Sequence, residues 1–304
     1  MRVAIIDLGT NTFNLLIVDK NENGFSKVFK TKRPVKLGQD VANTQMLCNN
    51  AMERGMKALR NHLVSIKKYE AEKVFAFATS AIRSCDNGLE YVNRIYNELG
   101  IEINVISGEK EAELIYYGVK QAVNLDDEKV MIVDIGGGSI EILIVNKNEI
   151  FWKQSFRLGI ARLLDKFNPS DPISNNEIEI IEKYIDDNTQ SLNEILKTLH
   201  VTTLIGSSGS IDTFARMISQ KFRPAGFLDN KINFEINLEE YKILHNELLL
   251  SSIEERKRMK GLELMRVEMI VVASICINFI IEKYNFTKLI QSDYALKEGV
   301  IATI

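Results

Sequence analysis

Three short stretches of this chain place glycine beside an acid or a hydroxyl at the end of an apolar run. They are Asp7-Leu8-Gly9-Thr10-Asn11-Thr12, Asp134-Ile135-Gly136-Gly137-Gly138-Ser139 and Gly206-Ser207-Ser208-Gly209-Ser210. Glycine and small polar residues allow turns in which successive main-chain N–H groups converge on an anion, and the hydroxyls add donors. A carboxylate at the strand end completes the set, because a hard divalent cation can bridge carboxylate and phosphate oxygens. A single Asp-x-Gly turn is also what any tight β-hairpin requires. Two in register within a repeated unit, joined by a third glycine-rich loop, weigh toward phosphate binding.

The elements that must hold these turns are legible from the repeat. Aligning Asp7 with Asp134 pairs Gly9 with Gly136, Thr12 with Ser139, Leu16-Ile17-Val18 with Leu143-Ile144-Val145, and Lys20-Asn21 with Lys147-Asn148. Lys36-Leu37-Gly38 is echoed by Arg157-Leu158-Gly159. Two copies at this spacing point to a duplicated domain, not to a solenoid. Apolar runs predict strands over 3–7, 13–18, 24–30, 73–80 and 101–107, with helices over 51–69, 88–99 and 108–123. The second half repeats the order: strands within 130–157, helices over 160–167 and 175–199, a strand over 202–208 and a helix over 211–220. Helices over 238–251, 261–284 and 293–304 close the chain, with a strand at 288–292. The class is α/β with partly antiparallel sheets. The domains are 1–124 and 125–304, divided at the polar stretch 124–129, with the last helix packing back on the first domain.

Composition bounds the function. At 304 residues, 45% hydrophobic and 26% charged, the chain fits two globular domains with sizeable cores. The net charge of −3 argues against general nucleic-acid binding, although a local basic cleft can still hold a polyanion. Cys48, Cys85 and Cys276 are scattered, and His62, His200 and His245 stand apart from them, so buried thiols in a reducing cytoplasm are expected and a zinc site is not. The apolar run from Met269 to Ile281 is too short to span a bilayer and reads as a core helix. No membrane association is expected. Arg266 stands in that otherwise apolar neighbourhood, where a phosphate or a buried acid must answer its charge.

The duplicated hairpins resemble the actin/sugar-kinase/Hsp70 superfamily. Within it, the chain resembles the exopolyphosphatase/guanosine pentaphosphate phosphohydrolase (Ppx/GppA) family. The matching motifs are IDLGTNTFNLLI, ATSAIR at 78–83, ISGEKEAELIYYGV at 106–119, VDIGGGSIEI at 133–142, IGSSGSI at 205–211, GLELMRVEMI at 261–270 and DYALKEGV at 293–300. The resemblance implies two actin-like (ribonuclease H-like) domains, each a mixed five-stranded sheet with flanking helices, and an active site in the interdomain cleft. It implies a Mg²⁺-dependent hydrolase that releases terminal orthophosphate from inorganic polyphosphate or guanosine pentaphosphate. By that resemblance Glu111 is the base, while Asp7, Asp134 and Glu141 organise the metal and the attacking water. Phosphate would fall to Gly9, Thr10, Asn11, Thr12, Arg83, Gly136, Gly137, Gly138, Ser139, Gly209, Ser210 and Arg266. Taken alone, Glu109, Glu111 and Glu113 could equally be acids favouring a helix start, and Glu141 a solvent-facing strand residue.

The chain departs from the family inside the first motif, which usually carries a basic residue, often Arg, where this chain has Asn14. Lys36 and Lys297 stand where the family commonly has Arg, which replaces a bidentate fork with a point charge. Lys30, Lys32, Arg33 and Lys36 read as a basic loop for a long polyanion. The expected partners are therefore polyphosphate or guanosine penta- or tetraphosphate, with a homodimer left open. Two alternatives of other classes remain: an alarmone sensor that binds without turnover, and an actin-fold kinase.

Overall fold

The computed structural model describes residues 1–22, 24–39 and 41–304. Cα packing divides the chain into two compact units, Met1–Gly118 with Leu296–Ile304, and Val119–Ala295.

The first unit opens with β1 (Arg2–Leu8), β2 (Thr12–Asn21) and β3 (Gly24–Pro34), an antiparallel meander. A short α1 (Val41–Thr44) precedes α2 (Asn49–Lys68). The buried positions of α2, namely Ala51, Gly55, Met56, Leu59, His62 and Ile66, recur at helical spacing, so one stripe faces the sheet. Then come β4 (Lys73–Ala78), α3 (Ser80–Arg83), α4 (Gly88–Leu99), β5 (Ile103–Val105) and α5 (Gly108–Ala122). Gly100, left-handed at φ +66°, ends α4 where an L-side chain would be strained. β1 pairs in parallel with β4, and β4 with β5, giving the order β3-β2-β1-β4-β5. Val3 to Ile6 are wholly buried, as expected of a central strand covered on both faces.

The second unit repeats this plan. β6 (Val130–Ile135), β7 (Ile140–Val145) and β8 (Ile150–Phe156) form the meander. α6 (Ile160–Phe167), α7 (Asn175–Asn188) and α8 (Gln190–Leu196) follow, then β9 (Thr203–Ser207) and α9 (Ser208–Phe222). β10 (Asn233–Ile236), α10 (Leu238–Leu250), α11 (Ile253–Arg256), α12 (Ile270–Lys283) and β11 (Lys288–Ser292) complete it. The sheet order is β10-β11-β9-β6-β7-β8. The equivalence reaches the irregularities: the β2–β3 ladder shifts register between Ile17 and Val18, and the β7–β8 ladder at the aligned Ile144 and Val145. The last helix, α13 (Leu296–Thr303), belongs to the first unit, and a Cβ at its Gly299 would lie 1.7 Å from the Leu114 carbonyl oxygen.

Several expectations need correction. The second sheet has six strands, not five. The extra strand, β10, gives little signal because its four residues alternate, Phe234 and Ile236 inward, in a window too short to register. The helix expected over 175–199 breaks at Thr189, whose Oγ1 donates to the Ile185 carbonyl at 2.9 Å. The helix expected over 261–284 starts only at Ile270: Gly261 is left-handed at φ +83°, and Arg266 ends a 3₁₀ turn over Leu264–Arg266. Lys30, Lys32 and Arg33 lie on edge strand β3 and not in a loop. Apart from these corrections, Cα packing parts the two units within α5, and the polar stretch 124–129 follows it. That stretch is tied to the second unit, where the Lys147 amide donates to the Asp126 carbonyl at 2.9 Å and the Lys147 ammonium meets Asp127 at 2.7 Å.

Candidate active site

In the first unit the turn after β1 is closed by the Gly9 amide, which donates to the Thr12 carbonyl at 3.1 Å. A Cβ on Gly9 would sit 3.0 Å from that same oxygen, so a side chain there would crowd the turn. The Thr10 carbonyl accepts from the Gly38 amide at 3.0 Å, and the Asn11 carbonyl from the Val35 and Lys36 amides at 2.8 and 2.9 Å. A trans peptide points its C=O and N–H in opposite directions. The Asn11 and Thr12 N–H groups therefore turn away from residues 35–38. Asp7 lies opposite Asn14 in the hairpin, and the Asn14 amide donates to Asp7 Oδ2 at 2.9 Å.

The ends of β1, β4 and β5 lie side by side, because Leu8 pairs with Ala78 and Ala78 with Val105. The chain leaving β4 turns into α3, whose last residue is Arg83. The chain leaving β5 enters α5, where the Lys110 amide donates to Ser107 Oγ at 3.1 Å and Glu111 lies in the first turn. Arg83 Nη1 then meets Glu111 Oε2 at 2.9 Å and the Ile106 carbonyl at 3.0 Å. Two residues expected to act on phosphate and water are thus brought together as a largely buried ion pair. The Glu111 carboxylate has a cation beside it, a partner that its acidic sequence neighbours gave no reason to expect.

In the second unit the Gly136 amide closes its turn on the Ser139 carbonyl at 3.0 Å, as Gly9 does on Thr12. The carbonyls of Gly136, Gly137 and Gly138 accept from Ile160 N at 3.0 Å, Ala161 N at 2.9 Å and Arg162 Nε at 2.9 Å. Three successive carbonyls thus face the start of α6, so the N–H groups of Gly137, Gly138 and Ser139 point the opposite way. Gly159, aligned with Gly38, makes this possible: a Cβ there would lie 2.3 Å from the Gly138 nitrogen.

Asp134 and Glu141 face each other across the β6–β7 pair and are 6% and 1% exposed. Alternation suggests a solvent-facing Glu141, but every residue of β7 is buried. Asp134 Oδ2 accepts from the Ser207 and Ser208 hydroxyls at 2.7 and 2.6 Å, and Glu141 Oε1 from the Ser155 hydroxyl at 2.7 Å. Ser155 gives no signal in the sequence; only the β7–β8 register, which sets it opposite Glu141, reveals it. Buried carboxylates are held by such donors.

Arg266 completes this region. Its side chain is 17% exposed, and a Cβ on Gly209 would fall 1.6 Å from its Nη2, so the guanidinium rests against the start of α9. Among the described residues its Nε has no hydrogen-bond partner, and it stands 4.0 Å from Glu263 Oε2. Burial pulls the guanidinium below its usual range, while Asp212 and Glu263 oppose that pull. A buried donor beside a helix start suits an anion.

Among the described residues, no three His, Cys, Asp or Glu side chains gather as a metal-holding group. Mg²⁺, however, is commonly held by one or two carboxylates together with substrate phosphates. The Asp134–Glu141 pair fits that arrangement and not a dedicated cage.

With this geometry in view, the chain can be set against known proteins. The model of the Ppx/GppA phosphatase family matches residues 16–304. The chain belongs to that family. An exopolyphosphatase structure from Cytophaga hutchinsonii superposes with a TM-score of 0.96 at 37% identity, covering 100% of this chain and 97% of that one. The Aquifex aeolicus PPX-GPPA enzyme gives 0.82 at 26% identity, covering 100% and 99%. A bifunctional 3-dehydroquinate synthase/phosphatase of Fusobacterium nucleatum is 32% identical over 98% of this chain, which spans only 46% of that relative's length. Membership in the Ppx/GppA family accounts for both sheets and for the order of motifs along the chain. No helix among the described residues is long and apolar enough to cross a membrane.

Proposed function

We propose that this chain is a phosphoanhydride hydrolase that removes terminal orthophosphate from inorganic polyphosphate or guanosine pentaphosphate. The observation that carries the proposal is the twice-built loop: in each unit, carbonyls are pinned from behind so that successive N–H groups point outward near a strand-end aspartate. The likeness to an exopolyphosphatase supports it.

In this reading Glu111 takes a proton from water as the oxygen attacks the terminal phosphorus. The anhydride bond breaks, leaving orthophosphate and a chain one phosphate shorter. Arg83 holds the Glu111 carboxylate in place and adds positive charge. The N–H groups of Asn11, Thr12, Gly137, Gly138 and Ser139 meet non-bridging oxygens, with Gly209, Ser210 and Arg266 completing the set. Mg²⁺, when bound, would neutralise phosphate charge, and Asp134 and Glu141 would hold it.

A second reading is favoured by one contact. Asn14 gives Asp7 a neutral amide where the family usually places a cation, which suits a guanosine-phosphate sensor that binds without turnover. Orthophosphate release from each substrate, with Mg²⁺ and with excess EDTA, separates the two. The hydrolase releases phosphate only with Mg²⁺, whereas binding without release would establish the sensor.

A further inference from the structure

α6 begins without a side-chain cap, since its N-cap is Gly159. Its first N–H groups would be orphaned were they not taken by the carbonyls of Gly136 and Gly137. The loop caps the helix, and the helix in turn holds the loop. The next carbonyl, Gly138, is held by a side chain, Arg162 Nε at 2.9 Å. Arg162 occupies the first turn of α6, which contains no acid. A cation there works against the helix dipole, and such local conflicts are tolerated mainly where function repays them. In the first unit the corresponding work is done by main-chain amides of Val35, Lys36 and Gly38.

We propose that Arg162 is a positioning residue: its guanidinium fixes the Gly138–Ser139 peptide so that the Ser139 N–H is aimed at a bound phosphate. The inference rests on the reading of residues 136–139 as a phosphate-binding loop. A charged donor on the Gly138 carbonyl also polarises that peptide and strengthens its N–H as a donor. Arg162 itself does not touch the substrate. Its loss therefore weakens phosphate binding and leaves proton transfer in place.

The test compares wild type with R162K, R162Q and R162M, using linear tripolyphosphate as substrate and orthophosphate as inhibitor. R162M is expected to raise both KM and the inhibition constant about tenfold, with kcat changed far less. R162K, which keeps charge and a donor, should recover more of that loss than R162Q. Thermal melts run alongside show how much of each variant is folded. A loss confined to kcat in proportion to the folded fraction, or unchanged KM and inhibition constant in R162M, would overturn the positioning role alone. Wild type that neither binds nor cleaves tripolyphosphate would instead overturn the phosphate-loop reading, and the inference with it.

Discussion

At the scale of single residues, the proposed function turns on a few side chains whose surroundings suit one chemistry. Glu111 is held by Arg83 at 2.9 Å, so replacing its carboxylate with an amide keeps the shape and removes the proposed proton acceptor. Glu111→Gln should lower kcat by at least about 100-fold beyond any loss of folded protein, measured by phosphate release with thermal unfolding run alongside. Gly209→Ala tests Arg266 from a distance. The new methyl would strike the guanidinium, a flexible tip that can swing aside, so the fold should survive. Substrate affinity should fall about tenfold or more, because the displaced arginine no longer meets phosphate. A native KM in the Gly209→Ala variant would mean that Arg266 is not a phosphate contact.

At the scale of elements, much of the fold is legible in the sequence because its central strands, such as β6 and β7, are buried on both faces. α4 runs where its apolar spacing and Gly100 place it, and β6 and β7 read as apolar runs interrupted only by Asp134 and Glu141. Four-residue elements escape: β10 and α11 are shorter than any periodic window. The loops are legible as glycine-rich turns, but their supports are not. Ser155, Arg162 and the serine pair on Asp134 reach the site only through strand register and the packing of α6. Gly159→Ala tests that support, because its Cβ would collide with main chain at 2.3 Å and not with a movable tip. It should cost about 1–3 kcal/mol by chemical denaturation and also weaken phosphate binding. The packing of α10 on α12 carries a pH dependence. His245 Nδ1 lies 2.6 Å from Ser274 Oγ, and burial, with a lesser contribution from Lys242, pushes the imidazole down to about 4 from its ordinary 6.5. Below 6.5 the unfolded chain takes up a proton that the folded chain refuses, so stability falls as pH drops from 6.5 toward about 4. The loss from this group reaches about 3 kcal/mol, and His62, also pushed down by burial, adds in the same direction. Denaturant melts at about pH 7.5 and about pH 5 should show the decline in wild type and a smaller one in His245→Gln.

At the scale of the whole molecule, one ancestral plan is written twice and then diverges. Both sheets are built on the same meander and parallel crossover, the register shifts coincide, and Gly38 and Gly159 both press against the loop they support. The divergence is chemical: Asn14 faces Asp7 where the buried Glu141 faces Asp134. The second unit therefore carries the paired carboxylates, and the first carries the Arg83–Glu111 pair. The most direct test of the proposed hydrolysis is orthophosphate release from inorganic polyphosphate and guanosine pentaphosphate with Mg²⁺, comparing wild type with Glu111→Gln. Wild type is predicted to release phosphate steadily from at least one of the two, and the variant to lose nearly all release with substrate binding retained. Binding without release by wild type, or release that survives Glu111→Gln undiminished, would contradict the mechanism.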